Sequence, residues 1–177
     1  MSLIIKFNFG FFFLVFLLWN VSLQSRVFLT PEAALQEAFP NATIEKIRIY
    51  LTEQDQKQME QELGFKIKHR FFSFYVAKSN QNLLGYAILH TDIVRTKEMS
   101  LMIVLNPKKE IQQIYLISFY EPIEYKPTER WLELFTNRSL NHPPVLGIDI
   151  PVVSGATLTA RSAYEMAMLT LYLAKSL

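Results

Sequence analysis

The chain has 177 residues, a net charge of +2 and an apolar fraction of one half, which together fit one domain with a packed core and a short appendage. It contains no run of five or more basic residues, which argues against a nucleic-acid-binding protein. The lack of cysteine excludes disulfides, thiolate catalysis and cysteine-ligated zinc or iron–sulfur sites. Its three histidines are scattered, so no metal site is predicted.

The first 25 residues are typical of a targeting segment. Lys6 precedes the wholly apolar run Phe11–Trp19. That length favours the hydrophobic region of a secretory signal peptide, whereas extension through Leu23 approaches the ~20 residues that span a membrane. A cleaved signal peptide and an uncleaved anchor are both consistent with the segment. Because Lys6 favours a cytoplasmic start, both place residues 26–177 outside the cytoplasm.

The next segments predict a short helix, a strand and a polar helix. Thr30 as N-cap and Pro31 at the first helical position predict a helix within Leu29–Pro40. Ala42–Leu51 alternates isoleucine with charged residues, which predicts a strand. The polar helix is bounded by Thr52 and Gly64 and has Met59 and Leu63 as its apolar anchors.

Four strands are predicted in the middle of the chain. Short turn sequences separate segments that are rich in β-branched and aromatic residues. Strands joined by such short turns form an antiparallel meander. The predicted strands are Arg70–Ser79, Asn82–Val94, Met99–Pro107 and Glu110–Tyr120.

Two helical patterns follow the strands. Lys126–Arg138 predicts a helix that begins at Thr128 or at the Pro127 position. Its inner stripe is predicted to be Trp131, Leu134 and Phe135. Thr157–Leu173 has only two charged side chains, which predicts a helix largely buried against the sheet. The apolar positions of this last helix are Ala160, Ala163, Tyr164, Ala167, Met168 and Leu171. The elements together predict an α+β fold, a curled antiparallel sheet with helices at its ends and on one face.

The loop before the last helix indicates a possible binding site. Ser154-Gly155-Ala156-Thr157 places two hydroxyls around a glycine in a chain that has only five glycines. The first turn of a helix has unpaired N–H groups and a partial positive charge, which suit a phosphate. The alternative is that Ser154 is a plain N-cap and that Gly155 only eases the turn.

The longer string SGATLTAR, residues 154–161, resembles the flavinylation motif of the FMN-binding domain family. That family includes the periplasmic covalent-flavin subunits of sodium-pumping NADH:quinone reductase and of Rnf complexes. The resemblance implies that a flavin transferase takes FMN from FAD and joins its phosphate to the hydroxyl of Thr157 through a phosphoester. Single-domain exported members are the most similar in layout, so residues 26–177 are interpreted as one FMN-binding domain.

The resemblance extends more loosely over about Leu84 to Leu173. LGYAILHTDIVRTK is similar to the glycine–aromatic strand of the family, and Glu121-Pro122 ends a hairpin where many members have Glu-Thr-Pro. Pro151 stands where the family motif usually has an acidic residue, and the nearest acid is Asp149.

The resemblance implies that the flavin ring lies against the sheet edge near Tyr86, Glu121 and Leu158. Tyr86 stacks on the ring or only packs in the core, and Glu121 bonds the flavin or is a solvated carboxylate. Arg95 balances flavin or phosphate charge or belongs to a plain basic loop. The expected cofactor-binding residues are Thr157, Ser154, Gly155, Ala156, Leu158, Thr159, Glu121, Tyr86 and Arg95.

No catalytic residue is predicted, because no Ser–His–Asp set, glycosidase-type carboxylate pair or metal-binding helix motif can be identified from spacing. The hypothesis is an electron-transfer flavoprotein with covalent FMN, in the periplasm or anchored to the outer face of the cytoplasmic membrane. Its expected partners are the flavin transferase and a redox protein or membrane complex. The alternatives are an unflavinylated exported interaction domain, in which the motif only caps a helix, and a flavin-dependent reductase of a small acceptor.

Overall fold

An open antiparallel sheet of five strands organises the domain, for which a computed structural model describes residues 27–152 and 154–177. The strands pair in chain order, so the predicted meander is confirmed. They are β1 (Thr43–Tyr50), β2 (Phe71–Ser79), β3 (Asn82–Ile93), β4 (Glu98–Leu105) and β5 (Ile111–Phe119). The targeting segment predicted over residues 1–25 lies outside the described residues. Within the described residues, no helix has the length and apolar character needed to cross a membrane.

The described residues form four α-helices beside the sheet, and the caps of the first three follow the sequence signals. They are α1 (Pro31–Ala38), α2 (Glu53–Leu63), α3 (Glu129–Leu132) and α4 (Thr157–Leu173). The Thr30 hydroxyl accepts a hydrogen bond from the N–H of Ala33 at 3.1 Å, which confirms the predicted start of α1. At the start of α2, Thr52 and Asp55 form a reciprocal capping box. The starts of both helices are therefore fixed by local hydrogen bonds.

The third helix is shorter than predicted. Only α3 is α-helical, and Glu133–Phe135 continues it as a 3₁₀ turn. The N-cap prediction at Thr128 is confirmed, since its hydroxyl accepts from the N–H of Trp131 at 3.2 Å. The tighter 3₁₀ turn changes the phase of the side chains. As a result Leu134 is 39% exposed and its predicted inward position is wrong, whereas Leu132 is buried instead.

The core has two layers, one on each face of the sheet. On the first face, α4 packs against large buried side chains of the central strands, which confirms its predicted burial. Residues of this layer include Phe74, Ile88, Leu101, Ile103, Ala163 and Ala167. On the other face, the short α1 covers a smaller cluster. That cluster includes Ala34, Leu35, Phe39, Ala77, Ala87, Met102 and Val104. The α+β layout expected from the sequence is therefore confirmed, and much of the second face has no helix over it among the described residues.

A buried histidine connects β3 to α4 across the main core. Nε2 of His90 lies 2.9 Å from the hydroxyl oxygen of Thr170. That hydroxyl donates to the carbonyl of Met166 at 2.9 Å, so the hydrogen between histidine and threonine belongs to Nε2. Burial lowers the pKa of His90 to about 4, and the nearby Asp92 opposes this shift only in part. His90 is therefore neutral at neutral pH.

Acidification is expected to destabilise the fold through His90. The unfolded chain binds a proton near the ordinary histidine pKa of 6.5, whereas the folded chain resists protonation until the pKa of about 4. Between these values the unfolded state holds more protons, so the free energy of unfolding falls as the pH falls. The shift corresponds to a loss of about 2 kcal/mol between about pH 7 and pH 5.

Urea unfolding of wild type and His90→Gln as a function of pH measures this loss. The variant is expected to have a flatter profile, and His142→Gln, which alters an exposed histidine, is the control. Proton NMR titration of the His90 ring in the wild-type protein is a second measurement that does not depend on the variant folding. A ring that titrates at its ordinary pKa contradicts the prediction.

Candidate functional site

The last helix begins without a side-chain cap. Its N-cap residue is Ala156, at φ −112° and ψ 27°, and no side chain among the described residues accepts a capping hydrogen bond there. The N–H of Ala160 donates to the carbonyl of Ala156 at 3.0 Å. The alternative that Ser154 is the N-cap is therefore wrong. The start of α4 keeps the electropositive character of an uncapped helix end.

Gly155 gives the loop a conformation that other residues rarely adopt. Its φ is +85°, in the left-handed region. A Cβ atom added to this glycine would meet nothing within 4 Å, so packing does not require glycine here. The backbone conformation does. Ser154, Gly155 and Thr157 are all exposed, which leaves the Thr157 hydroxyl accessible from solvent.

Glu121 holds the turn between β3 and β4 in place. It follows β5 and is only 6% exposed. Its Oε1 accepts from the backbone N–H groups of Arg95, Thr96 and Lys97 at 3.1, 2.6 and 2.7 Å. The N–H of Thr96 makes the largest contribution to lowering the pKa of Glu121, and burial opposes it. The carboxylate is thus ionised and committed to the turn, so its interpretation as a solvated group is wrong.

The fixed turn and the start of α4 meet around a small cavity of about 80 Å³. Six of the nine expected site residues line it: Arg95, Glu121, Gly155, Ala156, Leu158 and Thr159. Ser154 and Thr157 are their direct neighbours in the chain. Val94 and Tyr125 also line the cavity, and sequence reasoning missed both. The sequence did offer a signal for Tyr125, because it is an aromatic residue only four positions after Glu121.

Tyr86 does not belong to this group. It is buried in the main core and pairs with Val76 on β2 and Leu105 on β4. Val94, which lines the cavity, lies eight residues further along the chain, beyond the other end of β3. At ~3.3 Å per residue this separation is roughly 26 Å along the strand. Of the two roles expected for Tyr86, packing is the one that the structure supports.

No protein-family model, no curated protein and no solved structure matches this chain. The resemblance to the FMN-binding domain family therefore rests on the motif and segments named above.

The charged side chains that line the cavity are balanced, one cation (Arg95) against one carboxylate (Glu121), and further cations lie on the turn and on α4. The side chains of Arg95 and Lys97 are exposed on the turn, and Arg161 is exposed one turn into α4. Asp149, the nearest acid upstream of the motif, is paired with Arg138 at 3.0 Å and accepts from the N–H of Val145 at 3.0 Å. Its charge is therefore compensated within its own loop.

A larger cavity of about 530 Å³ lies along β5 and fits an anion less well. Three carboxylates line it, those of Glu37, Glu129 and Glu133, against the one cation Lys126. This excess of negative charge repels a phosphate. None of the nine expected site residues lines this cavity. The smaller cavity at the start of α4 is therefore the better candidate for the phosphate of a cofactor.

Proposed function

We propose that the protein is an exported flavoprotein that carries FMN as a phosphoester on Thr157 and transfers electrons between redox partners. The observation that carries this proposal is the exposed, uncapped start of α4, with Thr157 as its first residue. Free N–H groups and the positive end of the helix dipole stabilise a phosphate at such a point. The SGATLTAR motif supplies the reason to expect that phosphate to be part of a flavin.

The surroundings of Thr157 fit a tethered flavin. The space beside Gly155 is open, since an added Cβ atom would meet nothing within 4 Å. Leu158 is 47% exposed at the edge of the cavity and offers an apolar surface to a ring, and Tyr125 lines the same cavity. Arg95 and Arg161 supply positive charge. When bound, FMN supplies one-electron and two-electron transfer, and the protein's part is to hold it and limit water access.

The volume of the site favours a carrier over a reductase. Pockets that enclose a drug-sized ligand are about 300–1,000 Å³, whereas this cavity is about 80 Å³. In the part of the chain that the structure describes, this cavity accommodates only part of a flavin and adds no enclosed space for a second small molecule. The missing side-chain cap, in turn, argues against the alternative in which the motif only caps a helix.

The proposal is tested by producing the full chain, with its own first 25 residues, together with a flavin transferase. We expect an intact mass increased by FMN minus water and a fluorescent band that survives denaturing electrophoresis. Protein made without the transferase is the control and should lack both. Unmodified protein from cells in which the transferase labels a second, known substrate contradicts the proposal. Turnover of small acceptors by reduced protein without a protein partner would support the reductase instead.

A further inference from the structure

The strand β1 is an open edge of the sheet. It pairs with β2 in a regular antiparallel register from Thr43 opposite Lys78 to Tyr50 opposite Phe71. Seven of its eight residues are exposed. In residues 27–152 and 154–177, no backbone group of β1 bonds to anything except β2. An exposed edge of this kind is a template for a further strand.

The register shows which backbone groups face outward. The N–H of Leu51 donates to the carbonyl of Arg70 at 2.9 Å, so Leu51 faces β2. Successive residues of an antiparallel strand face alternate sides. Ile44, Lys46, Arg48 and Tyr50 therefore point both their N–H and their C=O groups away from the sheet. An incoming strand meets four donors and four acceptors.

The same four residues share one face of the sheet and carry two uncompensated cations. Lys46 and Arg48 are exposed and have no ion pair in the described part of the chain. Nζ of Lys46 lies only over the ring of Tyr75, 5.6 Å from its centroid. Glu45, on the opposite face, is already paired with Lys78 at 2.7 Å. The four residues of β1 whose backbone groups face outward are thus apolar, basic, basic and apolar in chain order.

A second copy of β1 is a poor partner for this edge. Opposite residues in an antiparallel pair lie on the same face of the sheet. When two copies of β1 pair about a two-fold axis, even-numbered residues therefore lie opposite even-numbered residues, and odd-numbered residues opposite odd-numbered ones. The two symmetric registers with the longest overlap place Lys46 against its own copy or against Arg48. Like charges directly opposite each other are destabilising. The charge pattern therefore opposes self-association through β1.

We propose that β1 binds an extended acidic segment of another protein, which adds to the sheet as a sixth, antiparallel strand. Two carboxylates of that segment, two positions apart, lie opposite Arg48 and Lys46. Apolar residues at the flanking positions cover Tyr50, which is 52% exposed, and Ile44, which is 37% exposed. Main-chain hydrogen bonds provide affinity in such strand addition, and alternate side chains provide selectivity. This inference is independent of the flavin assignment.

The probe is a seven-residue peptide with valine at both ends, glutamate at the third and fifth positions and threonine elsewhere. Binding to the purified full-length chain is measured by fluorescence anisotropy, beside a peptide with lysine in place of glutamate. We expect only the glutamate peptide to bind. The double variant Lys46→Glu, Arg48→Glu is expected to weaken that binding about tenfold and to bind the lysine peptide instead.

Lys108→Glu combined with Arg130→Glu is the matched control, since it reverses one exposed lysine and one exposed arginine away from β1. It should leave both affinities unchanged. Equal effects of the two double variants, or no binding of the glutamate peptide by folded wild type, overturn the proposal.

Backbone hydrogen bonds distinguish strand addition from simple charge attraction, because only an added strand forms them. Ile44→Pro removes one outward N–H and leaves both cations in place, and it is expected to weaken binding several-fold. Amide hydrogen exchange of wild-type protein is the second measurement, and it does not depend on the proline variant folding. The outward amides of Lys46 and Arg48 should become protected when the glutamate peptide binds. Binding without that protection contradicts an added strand.

Discussion

Thr157→Ala is expected to abolish covalent flavinylation. The variant removes the oxygen that would form the proposed phosphoester, and alanine has no other side-chain atom able to form one. The fold should persist, because the Thr157 side chain is exposed and caps no helix. We expect the free energy of unfolding to change by less than about 0.5 kcal/mol. Intact mass and in-gel fluorescence, after production with the transferase, measure the loss of flavin.

Two further variants test which hydroxyl is the acceptor. Thr157→Ser keeps an oxygen at the same place and should keep the flavin. Thr159→Val alters the buried threonine two residues later and keeps its shape, so labelling should continue at Thr157. Peptide mapping assigns the modified residue in each case. If Thr157→Ala kept its flavin and Thr159→Val lost it, the acceptor would be Thr159 and not Thr157.

Glu121→Ala is expected to have the second largest effect, on both stability and flavin content. It leaves the N–H groups of Arg95, Thr96 and Lys97 without their charged acceptor. Because these three residues are exposed, water replaces part of the loss, and we expect about 3 kcal/mol of destabilisation. The turn that they form lines the cavity, so its release should also lower the fraction of flavinylated protein. Urea unfolding and intact mass measure the two effects.

The pH dependence separates the charge of Glu121 from its shape. Its folded-state pKa is lowered, so its stabilising contribution is present above the ordinary value of 4.5 and is lost as the pH falls through the lowered pKa. The difference in unfolding free energy between wild type and Glu121→Gln should therefore shrink on acidification below about pH 4.5. Glu124→Gln, at an exposed carboxylate three residues later, is the control. A difference that is constant with pH contradicts an ionised Glu121.

The elements that the sequence predicts well are those with local determinants. Thr30 and Thr52 cap helices through hydrogen bonds to residues three positions ahead, and such contacts can be predicted from spacing. The strands follow from period-two patterns and short turns. Leu134 was placed wrongly because the change from an α-helix to a 3₁₀ turn depends on how the segment packs against β5, which the helical period does not encode.

The site is predicted less completely, because its parts come from distant segments. Glu121 and the turn at residues 95–97 are about 25 positions apart, and only the β4–β5 hairpin brings them together. Tyr86 and Val94 lie on one predicted strand, yet a strand of that length spans the domain, so sharing it does not place them at one site. The start of α4 could be singled out as a candidate from the sequence because its glycine and hydroxyls are contiguous.

The position of Thr157 as the first residue of α4 limits how far an attached cofactor could move. From Thr159 onward this helix is anchored in the main core, so the residue that would carry the cofactor has no flexible arm beneath it. A flavin mounted in this way would be joined to the fixed backbone only through the threonine side chain, the phosphate and the ribityl chain, so its ring would reach no further than that linker allows. Each partner must therefore come within that reach in turn. Electron flow through such a carrier would be governed by protein encounters, and therefore by ionic strength and partner concentration.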